Sequence, residues 1–554
     1  MDVRILLLVS AFNGLTQRVW SRLGELGHDV GVELAPTFGS PEELTAAVEK
    51  IDPDLILAPF LKHRVPREVW DRWTTVVVHP GPVGDRGPSS LDHAILDGRD
   101  RWGVTALSTV EEMDAGPVWA TATFAMPAPP VAKSALYNGP VADAAMACVE
   151  EVLRKVEAGE EPTAADDLPR EVPGTGELPL LRRTAFELDW SRPATELARV
   201  VAAADGAPGA PATVAGRRYC LFDAAVEAED VPGAEPGTVV GHDGDAVALA
   251  TGRGTLWVTY AATLAERRGT KLPAAWVLDG HDAPYREAPA ELAESTYTRD
   301  GDVGYLTLRS YSGAMHTAQC HRLTTAVEKA LTENTRVLVV RGTEHAFSNG
   351  IHLGAIEAAA DPAAEAWANI QAIDDLCEAI ARADQLTVAA FTASAGAGGV
   401  MTGLCADVVL ARDGVVLNPY YDMGIFGSEL HTWTVAARLG EKGADRLLDA
   451  KLPVSAAGAL ELGLVDAVGP RDAAAFDAWL AERANHLASP AGYAEAAAAA
   501  STRVPERPLS YHRTIELAEM ARDLFDDRRG FAAQRRDFLR KAAPAATPAN
   551  LRFA

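Results

Sequence analysis

Apolar and polar positions divide the chain into three stretches of different rhythm. In the first, Ile5 to Val9 form an unbroken apolar run, followed by Leu15, Val19, Leu23 and Leu26. The run predicts a buried strand, and the spacing after it predicts an amphipathic helix capped by Asn13 and closed by Gly27. Further strands are predicted around Val30–Leu34, Leu55–Ala58 and Thr75–Val78, with a helix near Pro41–Lys50. Strands that alternate with helices predict a parallel sheet covered on its faces. No GxGxxG follows the first strand, so dinucleotide binding gains no support.

Residues 158–181, rich in Pro, Gly and acids, read as a linker. Beyond them the rhythm shortens. A helix at Pro193–Ala203 precedes short runs at Thr238–Val240, Ala246–Ala250 and Thr255–Val258, separated by glycine turns. That pattern predicts a small antiparallel barrel. A second Pro-rich stretch, Asp282–Ala293, leads into the third region. Strands are predicted there at Val303–Arg309, Arg336–Arg341, Thr387–Phe391 and Val408–Ala411, with helices such as Leu323–Leu331 and Trp367–Ala381 between them. The helical segment from about Arg507 is charged, and its charges read as solvated faces. Domains are thus expected at 1–160, 182–285 and 295–554.

Composition narrows the choice of function. Of 554 residues, 48% are hydrophobic and 23% charged, which excludes a disordered chain. The 77 acidic residues outnumber 51 basic ones, for a net charge of −26. A surface that acidic repels nucleic acid and anionic membranes, so neither is expected as a partner. Cys148, Cys220, Cys320, Cys377 and Cys405 form no CxxC pair, which suits a reducing cytoplasm and offers neither a disulfide framework nor a zinc knuckle. The run at Ile5–Val9 is too short for a signal peptide and lacks a basic leader. No stretch reaches the roughly 18 to 20 apolar residues that span a bilayer. A soluble cytoplasmic protein without a metal site is expected.

Two places carry candidate chemistry. His79 stands at the C-terminal end of a buried strand, the edge at which open α/β sheets bind ligands. Gly and Pro at 80–88 make an irregular loop whose amides can face a ligand, and Asp114 enters before another strand-like run. His and Asp together can shuttle a proton and stabilise a charged tetrahedral intermediate, although a loop histidine and a solvated aspartate fit the same pattern. Farther on, residues 343–354 and 393–405 are glycine-bearing turns that leave predicted strands. Two such turns can aim backbone amides at one oxygen; tight helix–strand packing around glycine is the alternative. Ser89, Ser90 and Ser394 have no histidine beside them in sequence, so a serine nucleophile is unsupported. No HExxH or histidine cluster points to a metal.

Local motifs add specific resemblances. His79-Pro80, Arg86-Gly87, Ala94-Ile95, Gly98, Gly103-Val104-Thr105 and Asp114-Ala115-Gly116-Pro117-Val118 resemble the folate-dependent formyltransferases. LDWSRPATEL at 188–197 resembles the opening of the C-terminal domain of methionyl-tRNA formyltransferase. This resemblance implies a Rossmann-like domain that binds 10-formyltetrahydrofolate, followed by a small β-barrel domain. In that family an Asn, a His and an Asp move the formyl group to an amine. His79 and Asp114 take the last two roles by resemblance, with Arg86 and Gly87 in the formyl-folate loop. The position of the Asn is Val77, and Gly81-Pro82-Val83-Gly84 replaces the family's SLLP-type loop. Loss of the amide points away from an amine and toward a softer nucleophile such as a thiol.

AFSNGIHL (346–353), AGAGGVMTGLCADVVLA (395–411) and VSAAGALELGLVDAV (454–468) resemble the enoyl-CoA hydratase/isomerase, or crotonase, superfamily. The resemblance implies a crotonase-fold α/β domain with a helical C-terminal extension, and a thioester of coenzyme A as ligand. It assigns the oxyanion amides to Asn349 and Gly398. The two hydratase glutamates would fall at Met401 and Tyr420, so hydration is not expected. Tyr420, with Tyr421 as a second phenol, and Glu429 are the remaining candidates to donate or accept a proton; a packed tyrosine and a surface glutamate are the alternatives. His352 and His345 read as ligand-gate or surface residues.

The order of these modules, with HPGPVGDRGPSSLDHAI (79–95) and NPYYDMGIFGSE (418–429), resembles the HypX (HoxX) family of hydrogenase maturation factors along nearly the whole chain. The resemblance implies formyl transfer from 10-formyltetrahydrofolate to coenzyme A, then decarbonylation of formyl-CoA. The carbon monoxide would serve the iron of a NiFe-hydrogenase, with its maturation proteins as partners. Two other functions remain open. One is a formyl-tetrahydrofolate hydrolase or amine formyltransferase whose crotonase part only binds CoA. The other is a scaffold that docks on immature hydrogenase and turns nothing over.

Overall fold

The computed structural model describes residues 3–128, 131–265 and 268–553. They form two compact units, Met1–Leu292 with Ala543–Ala554, and Ala293–Ala542.

The first unit opens on a six-stranded sheet in the order Asp29–Leu34, Arg4–Val9, Leu55–Ala58, Thr75–His79, Arg101–Ser108, Val118–Ala125. Its first four strands are parallel, as alternation predicts, but Arg101–Ser108 runs against them and pairs antiparallel with both Thr75–His79 and Val118–Ala125. Ile5 to Val9 are wholly buried, which is why this strand reads as an unbroken apolar run. Helix Gly14–Glu25 buries Leu15, Val19 and Leu23, and the Asn13 side chain accepts from the Thr16 amide at 3.0 Å.

The stretch read as a linker is not free. Val118 and Thr163 exchange backbone hydrogen bonds of 2.7 and 2.9 Å, Arg86 donates to Gly176 O at 3.0 Å, and Leu178 donates to Arg86 O at 3.0 Å. Pro and Gly keep this segment extended, so its amides and carbonyls find partners in the loop that follows His79. The edge strand Asp29–Leu34 is covered by the far end of the chain. Thr547 Oγ1 accepts from the Leu34 amide at 3.0 Å and donates to Glu33 at 2.6 Å. The Phe553 ring fills the space where a side chain at Gly31 would stand.

A second sheet in this unit is antiparallel, in the order Ala210–Val214, Arg217–Glu227, Thr255–Thr263, Ala246–Ala250, Val239–Asp243. Helix Ala194–Ala204 packs on it.

The second unit is built on a sheet in the order Ser295–Asp300, Val303–Leu308, Val337–Arg341, Leu386–Phe391, Val408–Arg412, Ala467–Gly469. All but the first are parallel. Helices Thr317–Leu331 and Pro362–Ala381 bury Leu323, Val327, Leu376 and Ile380 with Leu338 and Val340. Phe476, Leu480 and Ala484 join the cluster of Val339, Val388 and Leu410. Both helices begin earlier than the apolar spacing predicts, because their first turns are small and polar; Asp361 caps the second at 3.1 Å from the amides of Ala363 and Ala364.

Helices Leu509–Phe525 and Phe531–Arg540 follow, and their charges are not all solvated. Glu516 and Asp523 have no exposed surface, and Arg535 is 4% exposed beside Glu357. Among the described residues no helix is long and apolar enough to cross a membrane. All five cysteines are free and buried.

Candidate active sites

The strand Thr75–His79 delivers His79 to the mouth of a cavity of about 600 Å³. Its ring lies between two carboxylates, with Nε2 2.8 Å from Asp85 Oδ2 and Nδ1 3.5 Å from Asp114 Oδ2. An imidazole can carry a proton on either nitrogen, so a ring set between two carboxylates can pass one from side to side. The short contact to Asp85 fixes the ring, and the longer one leaves the Nδ1 side able to exchange with a ligand.

Local backbone explains how three acid–base groups converge. A Cβ at Gly81 would strike both the His79 ring and the Asp85 carboxylate, so the loop requires glycine there. Asp114 adopts φ +56°, and its carboxylate accepts from the Gly87 amide at 3.2 Å. Asp85 is 2% exposed, and its Oδ1 has no hydrogen-bond partner. Sequence reasoning missed this residue; its only signal is an acid between the glycines of the GDRG stretch. Gly87 and Val77 line the cavity with Phe60, Tyr137 and Leu180. Arg86 turns to Glu112, at 2.5 Å.

In the second unit the two glycine turns meet. A Cβ on Gly350 would stand 3.4 Å from Gly398 N. Gly398 begins helix Gly398–Leu404, so its amide has no acceptor within the helix. Asn349 is tethered differently: its amide donates to Gly313 O at 2.6 Å and its Nδ2 to Ser312 O at 2.8 Å.

Glu429 is 2% exposed, and its carboxylate packs directly against the Cα of Gly398. It accepts from Tyr421 Oη at 2.6 Å and from the Ser428 amide at 3.2 Å. Tyr420, one residue away, donates instead to Asn418 Oδ1 at 3.3 Å. The chain bends at Tyr420, whose amide donates to Asn418 O at 2.9 Å, so the sequence names both phenols but not which reaches Glu429. Gly427 does carry a signal, because a Cβ there would enter the Tyr421 ring. Met401 lies in the apolar core beside Val400 and Leu404.

Burial governs the acidity here. It lifts the Glu429 carboxyl above the usual range, against the pull of the hydrogen bonds from Tyr421 and Ser428. Desolvation, then the nearby Glu429, raises the Tyr421 phenol well above its ordinary value. Burial and Asp422 push Tyr420 up to about 12. The cavity beside Gly398 and Glu429 is only about 70 Å³, and Ile351, Leu353, Ile370 and Met520 supply an apolar lining. His352 is buried and caps helix Leu353–Ala358, accepting from the Ala355 amide at 2.9 Å. His345 is exposed.

The enoyl-CoA hydratase/isomerase family matches residues 299–536, and the formyl transferase C-terminal domain family matches residues 181–275. Hydrogenase maturation factor HoxX of Bradyrhizobium diazoefficiens is 40% identical over 99% of this chain and 96% of that protein. A methionyl-tRNA formyltransferase of Desulfotalea psychrophila is 27% identical over 43% of this chain and 72% of its own length. The crystal structure of HypX from Aquifex aeolicus in complex with tetrahydrofolic acid is similar with a TM-score of 0.92. It is 35% identical, with 100% of this chain and 98% of that chain covered.

Proposed function

Because this chain belongs to the HypX/HoxX family of hydrogenase maturation factors, we propose that it makes carbon monoxide in two steps, one in each unit. It is an α/β multidomain protein with formyltransferase and crotonase-fold modules and a helical C-terminal region. The first module takes 10-formyltetrahydrofolate and coenzyme A as substrates. The tetrahydrofolate complex of the Aquifex relative and the roughly 600 Å³ cavity at His79 support folate as the donor.

In the first step the trio of His79, Asp85 and Asp114 takes the proton of the CoA thiol. The sulfur then attacks the formyl carbon. The C–N10 bond breaks, and the proton taken from the thiol passes to N10 of the departing tetrahydrofolate. Val77 lines the cavity where an amide would polarise the carbonyl, which favours a thiolate over a neutral amine.

In the second step the formyl oxygen of formyl-CoA points at the Gly398 amide. The Asn349 amide joins that hole once it releases Gly313. The Glu429 carboxylate removes the formyl proton as the C–S bond breaks. The carbon leaves as CO, and Glu429 returns the proton to the CoA thiolate, so no proton is gained or lost. Tyr421 orients the carboxylate through its 2.6 Å hydrogen bond. The single observation that carries this reading is the Glu429 carboxylate packed on the Cα of Gly398 in a cavity of about 70 Å³. That space has room for a one-carbon acyl group, and Ile351, Leu353, Ile370 and Met520 on its wall disfavour hydrolysis. Linking both steps in one chain raises the local concentration of a labile thioester. On this reading the CO serves the iron of a NiFe-hydrogenase and is delivered through its maturation proteins, a destination supported by the hydrogenase-maturation role in the HoxX relative's name.

The test is to give the full-length protein formyl-CoA directly and capture CO on reduced haemoglobin. In parallel, 10-formyltetrahydrofolate and CoA are supplied together. CO from both reactions is expected. Formate, or a formylated amine, in place of CO would overturn the decarbonylation step.

A further inference from the structure

The loop that carries Glu429 is held in an unusual way. Gly427, Glu429 and Leu430 have φ of +106°, +61° and +58°, and only the first is a glycine. Left-handed backbone at two consecutive non-glycine residues persists only where surrounding contacts impose it. Buried amides mostly pair with backbone carbonyls, but here carboxylates from two helices take them. Asp374, on helix Pro362–Ala381, accepts from the Glu429 amide at 2.8 Å. Helix Leu509–Phe525 supplies the rest from one face. Asp523 accepts from the Phe426 amide at 2.7 Å, and Glu516 accepts from the amides of Leu430 and Thr432 at 2.9 and 2.8 Å. The Thr432 hydroxyl adds a third bond to Glu516 at 2.6 Å. Between these acids in sequence, Met520 lies against the Gly427 amide and lines the small cavity.

We propose that Glu516 and Asp523 are positioning residues of the decarbonylation site, and that Met520 seals it against water. The inference rests on Glu429 acting as the base. By anchoring the loop on both sides of residues 427–429, the helix fixes where the Glu429 carboxylate meets the formyl carbon. Neither acid touches the substrate. Both act through the backbone, so removing one displaces Glu429 without deleting it.

The experiment uses full-length protein and formyl-CoA, with Glu516→Gln, Met520→Ala and the gentler Thr432→Val. The glutamine keeps the size of the side chain but turns an N–H donor toward one of the donors that Glu516 now accepts. We expect Glu516→Gln to lower kcat for CO by about ten- to a hundred-fold with KM unchanged, the scale on which small misplacements act. Thr432→Val should lower it a few-fold. Met520→Ala should raise the formate-to-CO ratio. A non-reactive CoA thioether should titrate each variant with wild-type stoichiometry and affinity, which an unfolded second unit would not allow. If wild type makes no CO from formyl-CoA, the reading of Glu429 fails. If wild type makes CO, while Glu516→Gln and Thr432→Val keep its kcat and Met520→Ala its product ratio, the positioning proposal is overturned and that reading stands.

Discussion

The two candidate sites treat acidic groups in opposite ways. At His79, two carboxylates flank a ring at a cavity of about 600 Å³, and one of them stands back at 3.5 Å. At Glu429, a single carboxyl lines a cavity of about 70 Å³, and further acids hold the backbone of its own loop. Under the proposed function the difference is one of task. A proton that moves between two large reactants needs access and slack, whereas expulsion of a small apolar product needs fixed geometry and a dry wall.

The comparison breaks most sharply by crossing the two sites. Glu429→Gln should cut CO formation from formyl-CoA by about a hundred- to ten-thousand-fold while formyl transfer continues and formyl-CoA accumulates. His79→Ala should do the reverse, losing transfer while added formyl-CoA still yields CO. Separate assays of formyl-CoA and CO check both, and a variant that loses both steps would mean the sites are not separate. Gly398→Ala sharpens the contrast, since its Cβ would land on the Glu429 carboxylate. A loss of CO on the order of a hundredfold or more is expected, with transfer intact.

Asp85→Asn probes the looser site. The ring keeps its contact to Asp114, but its partner at 2.8 Å loses its negative charge, so transfer should fall by about ten- to a hundred-fold and CO formation from formyl-CoA should not change. A further effect is on stability rather than on rate. Burial lifts the Glu516 carboxyl from 4.5 to about 7, against hydrogen bonds from Thr432 and Leu430. Glu429, Asp374, His431 and His512 also face this region. A raised carboxyl stabilises the fold fully below pH 4.5 and loses that contribution as pH rises through about 7. Denaturant unfolding from pH 4 to 8 should therefore show wild type losing roughly 3 kcal/mol relative to Glu516→Gln, with no such drift if Glu516 is already ionised.

What could be read from the sequence follows from what each signal measures. Apolar periodicity reports burial, so Ile5–Val9, helix Gly14–Glu25 and the parallel strands of the second unit stand where the pattern puts them. Composition reports only how a segment prefers to fold alone. Residues 158–181 therefore read as a linker, although their backbone pairs with the loop after His79. Charge on a helix reads as solvation for the same reason. Glu516 and Asp523 escape that rule because their partners are amides of a loop more than eighty residues away in sequence. Asp85 was hidden because it meets His79 only when the intervening glycine loop closes. Tyr420 and Tyr421 are the same residue type side by side, and only the bend at Tyr420 decides that Tyr421 meets Glu429.

One consequence of the covered edge strand concerns the order of synthesis. Leu34 and Thr547 are 513 residues apart, yet their hydrogen bond completes the rim of the first sheet. At about 5 to 20 residues per second, the ribosome takes roughly half a minute to two minutes to connect them. The first sheet thus waits, with its outer strand bare, for residues made some five hundred positions later. A chain cut short before Thr547 carries every residue of both candidate sites and still lacks the piece that finishes its first fold.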